Sequence, residues 1–185
     1  MSKNQRFVVG LGVFAMFWMV MYSVTHSDSP RSAALADSTT TSQKPSWVYD
    51  DQKDDLTDKV DHVACLFSTN RVEFGRPYDG GATGRLCFRR SGKKLDSYFA
   101  VDRGQMLCHY DGCTLHARFD DGPVQGHHSF GSRTGGSKIL FPSNTATLLK
   151  QVRTAHRVRL ATDFYQEGER TFEFEPAGLD ESKLK

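Results

Sequence analysis

The chain has 185 residues, a length that allows one folded domain, or one domain with a tail. Its net charge of +2 comes from 24 Lys and Arg against 22 Asp and Glu. Residues 1–46 hold four of the basic and two of the acidic residues, which leaves residues 47–185 with 20 of each sign. This neutrality argues against nucleic-acid binding, because a basic surplus that neutralises phosphates supplies most of that affinity.

An uncharged apolar run covers residues 7–24 and follows Lys3 and Arg6. As a helix it would be about 27 Å long, close to the roughly 30 Å hydrocarbon core of a bilayer. We therefore expect residues 1–24 to be a signal anchor that keeps its positive end in the cytoplasm. A cleaved signal peptide is the alternative. Its apolar core would be shorter, at about 7–15 residues, and the A-x-A-like site at residues 34–36 lies far beyond the run.

Two polar stretches follow the apolar run. Residues 25–46 contain ten Ser or Thr and two Pro, which predicts a flexible tether because such a segment cannot bury enough surface to order itself. Residues 50–61 contain six Asp in twelve positions. This second stretch predicts a solvated approach to the fold, with room for one helical turn.

From residue 62 onward, short apolar segments alternate with turn residues, the pattern of strands in an antiparallel domain. We predict strands near residues 63–67, 85–90, 95–101, 105–108, 113–119, 127–130, 139–141, 157–165 and 170–175. One helix is predicted from the apolar stripe of Ala146, Leu148, Leu149 and Val152, with Ser143 or Asn144 as its cap. The predicted fold is mainly β (α+β) over residues 47–179, an antiparallel sandwich or barrel of seven to nine short strands with one late helix. The N-terminal membrane segment precedes it, and residues 180–185 form a tail.

The four cysteines, Cys65, Cys87, Cys108 and Cys113, all lie in this domain, and their even number fits an oxidising compartment. Cys108 and Cys113 flank a predicted hairpin turn, so they could face each other across two strands, which leaves Cys65 and Cys87 as the second pair. A zinc site made by Cys108, His109, Cys113 and His116 is the alternative. We disfavour it because residues 113 and 116 would point to opposite faces of a strand.

The candidates for chemistry are isolated residues rather than a recognisable constellation. His127 and His128 are adjacent on a predicted strand and would point to opposite faces. Ser129 and Ser132 lie near glycines, but no G-x-S-x-G sequence surrounds either one. We therefore assign no catalytic residue, cofactor or metal, and leave the binding residues open.

Two groups of basic residues stand out at the ends of predicted elements. One comprises Arg89, Arg90, Lys93 and Lys94, and the other Arg153, Arg157 and Arg159. Either group could contact anionic lipid or an acidic partner. Because Glu167, Glu169, Glu173 and Glu175 balance them, we interpret both as ordinary solvated surface.

Three stretches carry a resemblance to small exported bacterial proteins: residues 104–108 with Cys113, residues 118–122, and residues 172–174. The pattern also resembles the VasI-like accessory proteins of type VI secretion, over residues 47–179. The resemblance implies an envelope setting and a β-rich periplasmic domain, and it supplies no catalytic residues.

From these observations we expect a single-pass inner-membrane protein, held through residues 7–24, with its C-terminal domain in the periplasm or otherwise outside the cytoplasm. The expected role is a non-enzymatic protein-binding or secretion-accessory module with an envelope protein as partner. One alternative is an envelope hydrolase that uses His109, His116, His127 or Asp120. Another is an exclusion factor of a phage or mobile element.

Overall fold

The computed structural model describes residues 46–134 and 136–185, which form eleven β-strands, one α-helix and one 3-10 helix. The strands are β1 (Val48–Lys53), β2 (Val60–Phe67), β3 (Val72–Phe74), β4 (Gly80–Ala82), β5 (Gly84–Ser91), β6 (Lys94–Val101), β7 (Cys113–Phe119), β8 (Gln125–Gly131), β9 (Ile139–Pro142), β10 (Val158–Phe164) and β11 (Gly168–Phe174). The helices are α1 (Thr145–Thr154) and the 3-10 helix η1 (Glu181–Leu184). The predicted membrane segment, residues 1–24, and the tether up to residue 45 lie outside the described residues. Within the described part, no helix has the length and apolar character that a bilayer span requires.

Nine of the described strands form one sheet in the order β1-β2-β5-β6-β9-β8-β7-β10-β11, and every neighbouring pair in it is antiparallel. Strands β3 and β4 pair separately as a two-stranded sheet. The prediction of a mainly β fold with antiparallel strands is therefore confirmed. Eight of the nine predicted strands are present, and β1, β3 and β4 are additional. Strands β3 and β4, at three residues each, are too short to show a period-2 pattern.

The Asp-rich stretch of residues 50–61 is solvated, as predicted, but it forms the outer part of a hairpin made by β1 and β2 and not an approach to the fold. Val48 pairs with Cys65 and Lys53 with Val60. The carboxylate of Asp54 accepts the backbone N–H groups of Leu56 and Thr57 at 2.9 and 2.8 Å, which closes the turn. Strand β1 escaped prediction because it is an edge strand whose last four residues are exposed, and charged side chains are tolerated there.

The core lies on one face of the nine-stranded sheet, here called the inner face. Its largest fully buried side chains include Phe88, Phe99, Phe164, Phe172 and Phe174. The rings of Phe99 in β6 and Phe172 in β11 are 5.4 Å apart, although four other strands lie between β6 and β11 in the sheet. The sheet therefore curls until its two halves face each other across a shared core.

The free edge of β11 is covered by the loop that follows β2. The N–H of Thr69 donates to the carbonyl of Glu173 at 2.7 Å, and the Asn70 side chain donates to the carbonyl of Thr171 at 3.0 Å. Asn70 also accepts the N–H of Glu173 at 2.8 Å. Side-chain and loop contacts thus satisfy an edge that would otherwise present unpaired backbone groups.

The predicted helix is present as α1, and its apolar stripe packs into the core through Leu148, Leu149 and Val152. The cap position was predicted correctly, as one of two candidates, but no side-chain cap forms. Asn144 occupies the N-cap position without a capping hydrogen bond, while the Ser143 hydroxyl donates to the carbonyl of His128 at 2.9 Å.

Residues 180–185 pack onto the domain. They contain η1, in which Leu184 is buried in the core cluster, and Glu181 forms an ion pair with Arg153 of α1. The N-terminal end of the domain is held nearby, because the indole N–H of Trp47 donates to the carbonyl of Pro176 at 2.8 Å.

The strand predicted at residues 105–108 is absent. Met106 forms only an isolated bridge with Phe164, and the N–H of Leu107 donates to the carbonyl of Asp163 at 2.9 Å. Gly104 has a φ of +92° and sits against the rings of Phe74 and Phe164, so the chain turns away here in a conformation that disfavours other residues.

Candidate functional site

His116 and Asp120 each have a partner that accounts for their position. The Nδ1 atom of His116 lies 2.6 Å from a carboxylate oxygen of Glu169 on a solvent-exposed part of the sheet. The Asp120 carboxylate accepts the backbone N–H groups of His156 and Arg157, both at 2.8 Å. These hydrogen bonds lower the pKa of Asp120 and join the end of β7 to the start of β10. A carboxylate held in this way is a poor general base.

His127 and His128 point to opposite faces of β8. His127 is on the inner face with 5% of its surface exposed, and its Nε2 atom has no hydrogen-bond partner among the described residues. Burial lowers the pKa of His127, which favours the neutral imidazole. His128 is exposed, and its ring lies 4.7 Å from that of Phe130.

The hydrolase alternative requires His109, His116, His127 or Asp120 to lie in a shared catalytic site. His127 is inside the core, His116 is paired on the sheet surface, Asp120 belongs to a turn, and His109 is exposed in the turn before β7. The sheet register confirms that His116 neighbours Gly126 on β8, not a second catalytic candidate. Within residues 46–134 and 136–185, these four side chains form no common site.

The structure contains two disulfides, as expected from the cysteine count. Cys65 and Cys87 are directly opposite each other on β2 and β5, with Cα atoms 4.1 Å apart. Cys108 and Cys113 are joined across the turn before β7, with Cα atoms 4.9 Å apart. The zinc alternative would need the thiolates of Cys108 and Cys113, which this bond occupies. The described residues include no group of three or more His, Cys, Asp or Glu side chains arranged to hold a metal ion.

The basic groups are largely paired with carboxylates. Arg89 donates to both oxygens of Asp96 at 3.1 and 2.9 Å. At the other group, Arg153 pairs with Glu181, and Arg157 with Asp121 at 3.3 Å. The interpretation of these groups as solvated surface fits this pairing, since a compensated charge offers little to an anionic partner.

The outer face of the sheet carries a feature that the sequence analysis missed. One apolar side chain from each of six neighbouring strands lies in a single cross-strand row, here called the outer apolar row. Its members are Val48 (β1), Cys65 (β2), Cys87 (β5), Tyr98 (β6), Phe141 (β9) and Phe130 (β8).

Contacts along the row are continuous. Cys65 and Cys87 are covalently joined, and the Cys65 sulfur lies 3.7 Å from the Tyr98 hydroxyl. The rings of Tyr98 and Phe141 are 6.0 Å apart, and Phe141 is the register partner of Phe130. Burial among these neighbours raises the pKa of Tyr98, so its hydroxyl stays neutral.

Both ends of the row are open to solvent. Val48 is 50% exposed and Phe130 is 45% exposed; Phe67, two residues after Cys65 on the same face, is 43% exposed. The solvated face of an antiparallel sheet ordinarily carries polar side chains. One sign of this apolar outer face was present in the sequence: all residues from 63 to 67 are apolar. Ala64 and Leu66 face the core, so the other three place apolar side chains on the outer face.

A pocket of about 250 Å³ lies where β8 ends and β9 begins. Two of its lining residues, Gly131 of β8 and Leu140 of β9, are register partners on the inner face of the sheet, opposite the outer apolar row. The other lining residues are Gln105, Met106, Leu107, Cys108, His109, Ser132, Gly136, Ser137 and Ile139. Two of the polar side chains that line the pocket already have hydrogen-bond partners. Gln105 accepts from the Tyr78 hydroxyl at 3.0 Å, and the Ser132 hydroxyl lies 2.7 Å from that of Thr134.

Comparisons of this chain with protein-family models, with curated proteins and with solved structures gave no match.

Proposed function

We propose that this protein is a membrane-tethered envelope protein whose extracytoplasmic β-domain binds an extended apolar segment of another envelope protein along the outer apolar row. The row carries this proposal: six consecutive strands place an apolar side chain on a face where solvent would favour polar ones. Val48 and Phe130 in the row, with Phe67 beside it, are the apolar side chains that this face exposes to solvent and that a bound segment would cover.

The shape of the row favours a linear partner. Six strands at about 4.8 Å spacing make it about 24 Å long, and it is one side chain wide. Its area is therefore on the order of 200 Å², well below the roughly 800 Å² per partner of a standard protein–protein interface. A second globular surface would need more contact than the row offers, whereas an extended chain could lie along it.

The charges beside the row favour an uncharged partner segment. Arg89 and Asp96 flank it as a mutually bonded pair, and Asp61 lies 4.0 Å from the same guanidinium. No large excess of one sign is left there to select a charged segment. Affinity would come from burial of apolar surface.

The cellular setting is supported by two features. Disulfides form and persist in oxidising compartments, and this domain has two. The uncharged run of residues 7–24 has the length of a membrane span, and Lys3 and Arg6 favour a cytoplasmic N-terminus. A secretion-accessory role, implied by the VasI-like resemblance, is the setting in which we would look for the partner.

A photo-crosslinking experiment tests the binding surface. A photoreactive phenylalanine analogue is placed at Phe130 or Phe141 in the full-length chain in its own membranes, and at Val124, an exposed apolar residue outside the row, as the control. We expect one discrete adduct from positions 130 and 141 that is absent from position 124, with the crosslinked partner peptide identified by mass spectrometry. Equal adducts from all three positions, or none from 130 and 141, would contradict the proposal.

A second experiment tests whether the row supplies the affinity. The peptide identified by crosslinking is synthesised and titrated against the purified protein and against a Phe130→Ser/Phe141→Ser variant. We expect at least a tenfold loss of affinity in the double variant and an unchanged affinity in the control Val124→Ser. Unchanged circular dichroism and thermal unfolding of both variants establish that the fold is retained.

A further inference from the structure

We propose that the Cys108–Cys113 disulfide is a thiol-exchange site, in which an incoming thiol reaches the Cys108 sulfur through the adjoining pocket. Cys108 lines this pocket of about 250 Å³, together with His109. Cys113 and the two cysteines of the other disulfide are not among its lining residues. Gly131 lies against Cys108, since a Cβ atom at that position would be 3.7 Å from the Cys108 Cβ, and its missing side chain leaves this wall uncovered.

The backbone around this disulfide is held in place without the sulfur–sulfur bond. Before Cys108, Met106 bridges Phe164 and the N–H of Leu107 donates to Asp163. Across the turn, the N–H of Gly112 donates to the carbonyl of His109 at 3.1 Å. Cys113 begins β7 and is the register partner of Ser129 in β8, while β10 pairs with β7 further along, at residues 116–119.

Opening the bond therefore leaves the two cysteines close together. A disulfide stabilises mainly by restricting the unfolded chain, and by less when the loop is short. This loop closes after only five residues, against 22 for Cys65–Cys87. The hairpin contacts keep both sulfurs in position for the bond to form again, which reversible exchange requires.

A hydrogen-bond acceptor lies close to both sulfurs and can accept from the thiols of the reduced form. Both the Cys108 and the Cys113 sulfur lie 3.7 Å from the carbonyl oxygen of Ser129. In the disulfide neither sulfur carries a proton, but after reduction either thiol can donate weakly to this oxygen. The dithiol would thus be accommodated without moving β8.

Thiol exchange at this disulfide proceeds in two steps. A thiolate bonds to the Cys108 sulfur, the Cys108–Cys113 bond breaks, and its electron pair leaves on the Cys113 sulfur, which takes a proton from water. A second thiol then displaces Cys108 from the mixed disulfide. Two thiols are oxidised to one disulfide, and Cys108 and Cys113 are reduced by two electrons.

The incoming thiol could belong to a small molecule or to a cysteine in a polypeptide, and the pocket has room for either to approach. The strand residues that line the pocket, Gly131 and Leu140, belong to the inner face of the sheet, so the pocket is separate from the outer apolar row. The exchange itself does not depend on the row, so its failure would leave the proposed binding function standing.

The second disulfide provides an internal control. Cys87 is fully buried and lies in β5, between β2 and β6 of the sheet. A thiol could therefore attack this bond only at the Cys65 sulfur, which is part-buried beside the Tyr98 hydroxyl and does not line the pocket. Under native conditions we therefore expect the two bonds to differ in their rate of reduction.

The first test measures that difference on the full-length oxidised protein. Reduced glutathione is added without denaturant, samples are quenched by alkylation, and the labelled cysteines are located by mass spectrometry. We expect Cys108 and Cys113 to be labelled at least tenfold faster than Cys65 and Cys87. Equal rates, or labelling that appears only in denaturant, would overturn the proposal.

The second test asks which sulfur is attacked and by which class of thiol. Cys113→Ser leaves Cys108 as the free thiol, and Cys108→Ser leaves Cys113. We expect Cys113→Ser to form a mixed disulfide with oxidised glutathione at least tenfold faster than Cys108→Ser; the opposite order would overturn the assignment to Cys108. A cysteine-containing apolar peptide, activated as a mixed disulfide, is the second probe. Its faster capture would assign a polypeptide thiol, and faster capture of glutathione a small one.

Discussion

Phe99 and Phe172 lie 5.4 Å apart in the core, although β6 and β11 are separated by four other strands in the sheet order. Their contact is the point at which the two halves of one curled sheet meet. Gly84 lies beside it, since a Cβ atom there would approach the Phe172 ring to 2.8 Å. The core of the domain is therefore held by side chains that no strand pairing brings together.

Replacing Phe172 by Ala should remove much of this contact. Phe172 is fully buried, and deletion of a buried phenylalanine ring costs about 3–5 kcal/mol because the cavity relaxes only in part. We expect this loss in the free energy of unfolding, measured by urea denaturation. Phe130→Ala, on the exposed outer face, is the control and should change that free energy far less; similar losses in both variants would contradict the curled-sheet core.

Replacing Trp47 by Phe should loosen the join between the two ends of the domain. The substitution leaves the carbonyl of Pro176, in a buried residue, without the indole N–H that lies 2.8 Å away. An unsatisfied buried polar group costs about 1–3 kcal/mol. Tyr49→Phe is the matched control, because its hydroxyl accepts the N–H of Asp180 at an exposed position and its loss should cost less. Both values follow from urea unfolding curves.

His127 should make the fold less stable in mild acid. Burial lowers its pKa from the ordinary 6.5, so the unfolded chain takes up a proton at a pH where the folded chain does not. The free energy of unfolding should therefore fall as the pH drops below 6.5, and level off once the folded-state pKa is passed. The lowered pKa values of Asp54, Asp120 and Asp180 act in a separate window, because those carboxylates start from 3.8.

Denaturation at a series of pH values between 5 and 8 measures this effect. His127→Leu should flatten the curve below 6.5, whereas the exposed His128→Leu should leave its slope unchanged. A slope that survives in His127→Leu would assign the pH dependence to another group.

The N-terminal prediction can be checked on the protein from its native host. If residues 1–24 are a signal anchor, the mature chain keeps its full mass and stays in the membrane pellet after alkaline carbonate extraction. Cleavage at the A-x-A-like site would instead release a soluble chain that begins at Asp37. N-terminal sequencing together with fractionation separates the two results.

The strands that carry the core were predictable because one face of each is buried. Leu115, Ala117 and Phe119 in β7, and Val158, Leu160 and Phe164 in β10, alternate with polar residues, and the structure places strands there. Helix α1 was predictable for the same reason, since Leu148, Leu149 and Val152 form its buried side. Strand β1 was not predictable, because its pairing with β2 places its charged side chains in solvent and no apolar period marks it.

The outer apolar row was hidden for a different reason. Its members come from six strands that are far apart in the chain, and each looks like an isolated apolar residue beside a core position. Phe130 and Phe141 become neighbours only because β8 pairs with β9, and Tyr98 joins them only because β9 also pairs with β6. The order of strands in the sheet decides which side chains become neighbours in such a row. The alternation of apolar and polar residues within one strand does not reveal that order.

The sequence by itself determined the class of this domain, its neutral charge and its late helix, because burial period and composition are local properties of the chain. It also indicated that the cysteines would be oxidised in pairs. Only the tertiary structure decided that the sheet curls to bring Phe99 onto Phe172, that the four His and Asp candidates stay apart, and that Cys108 borders a pocket while Cys87 is buried. These relationships arise from contacts between distant strands, whose choice among many alternative pairings depends on the packing of the whole core.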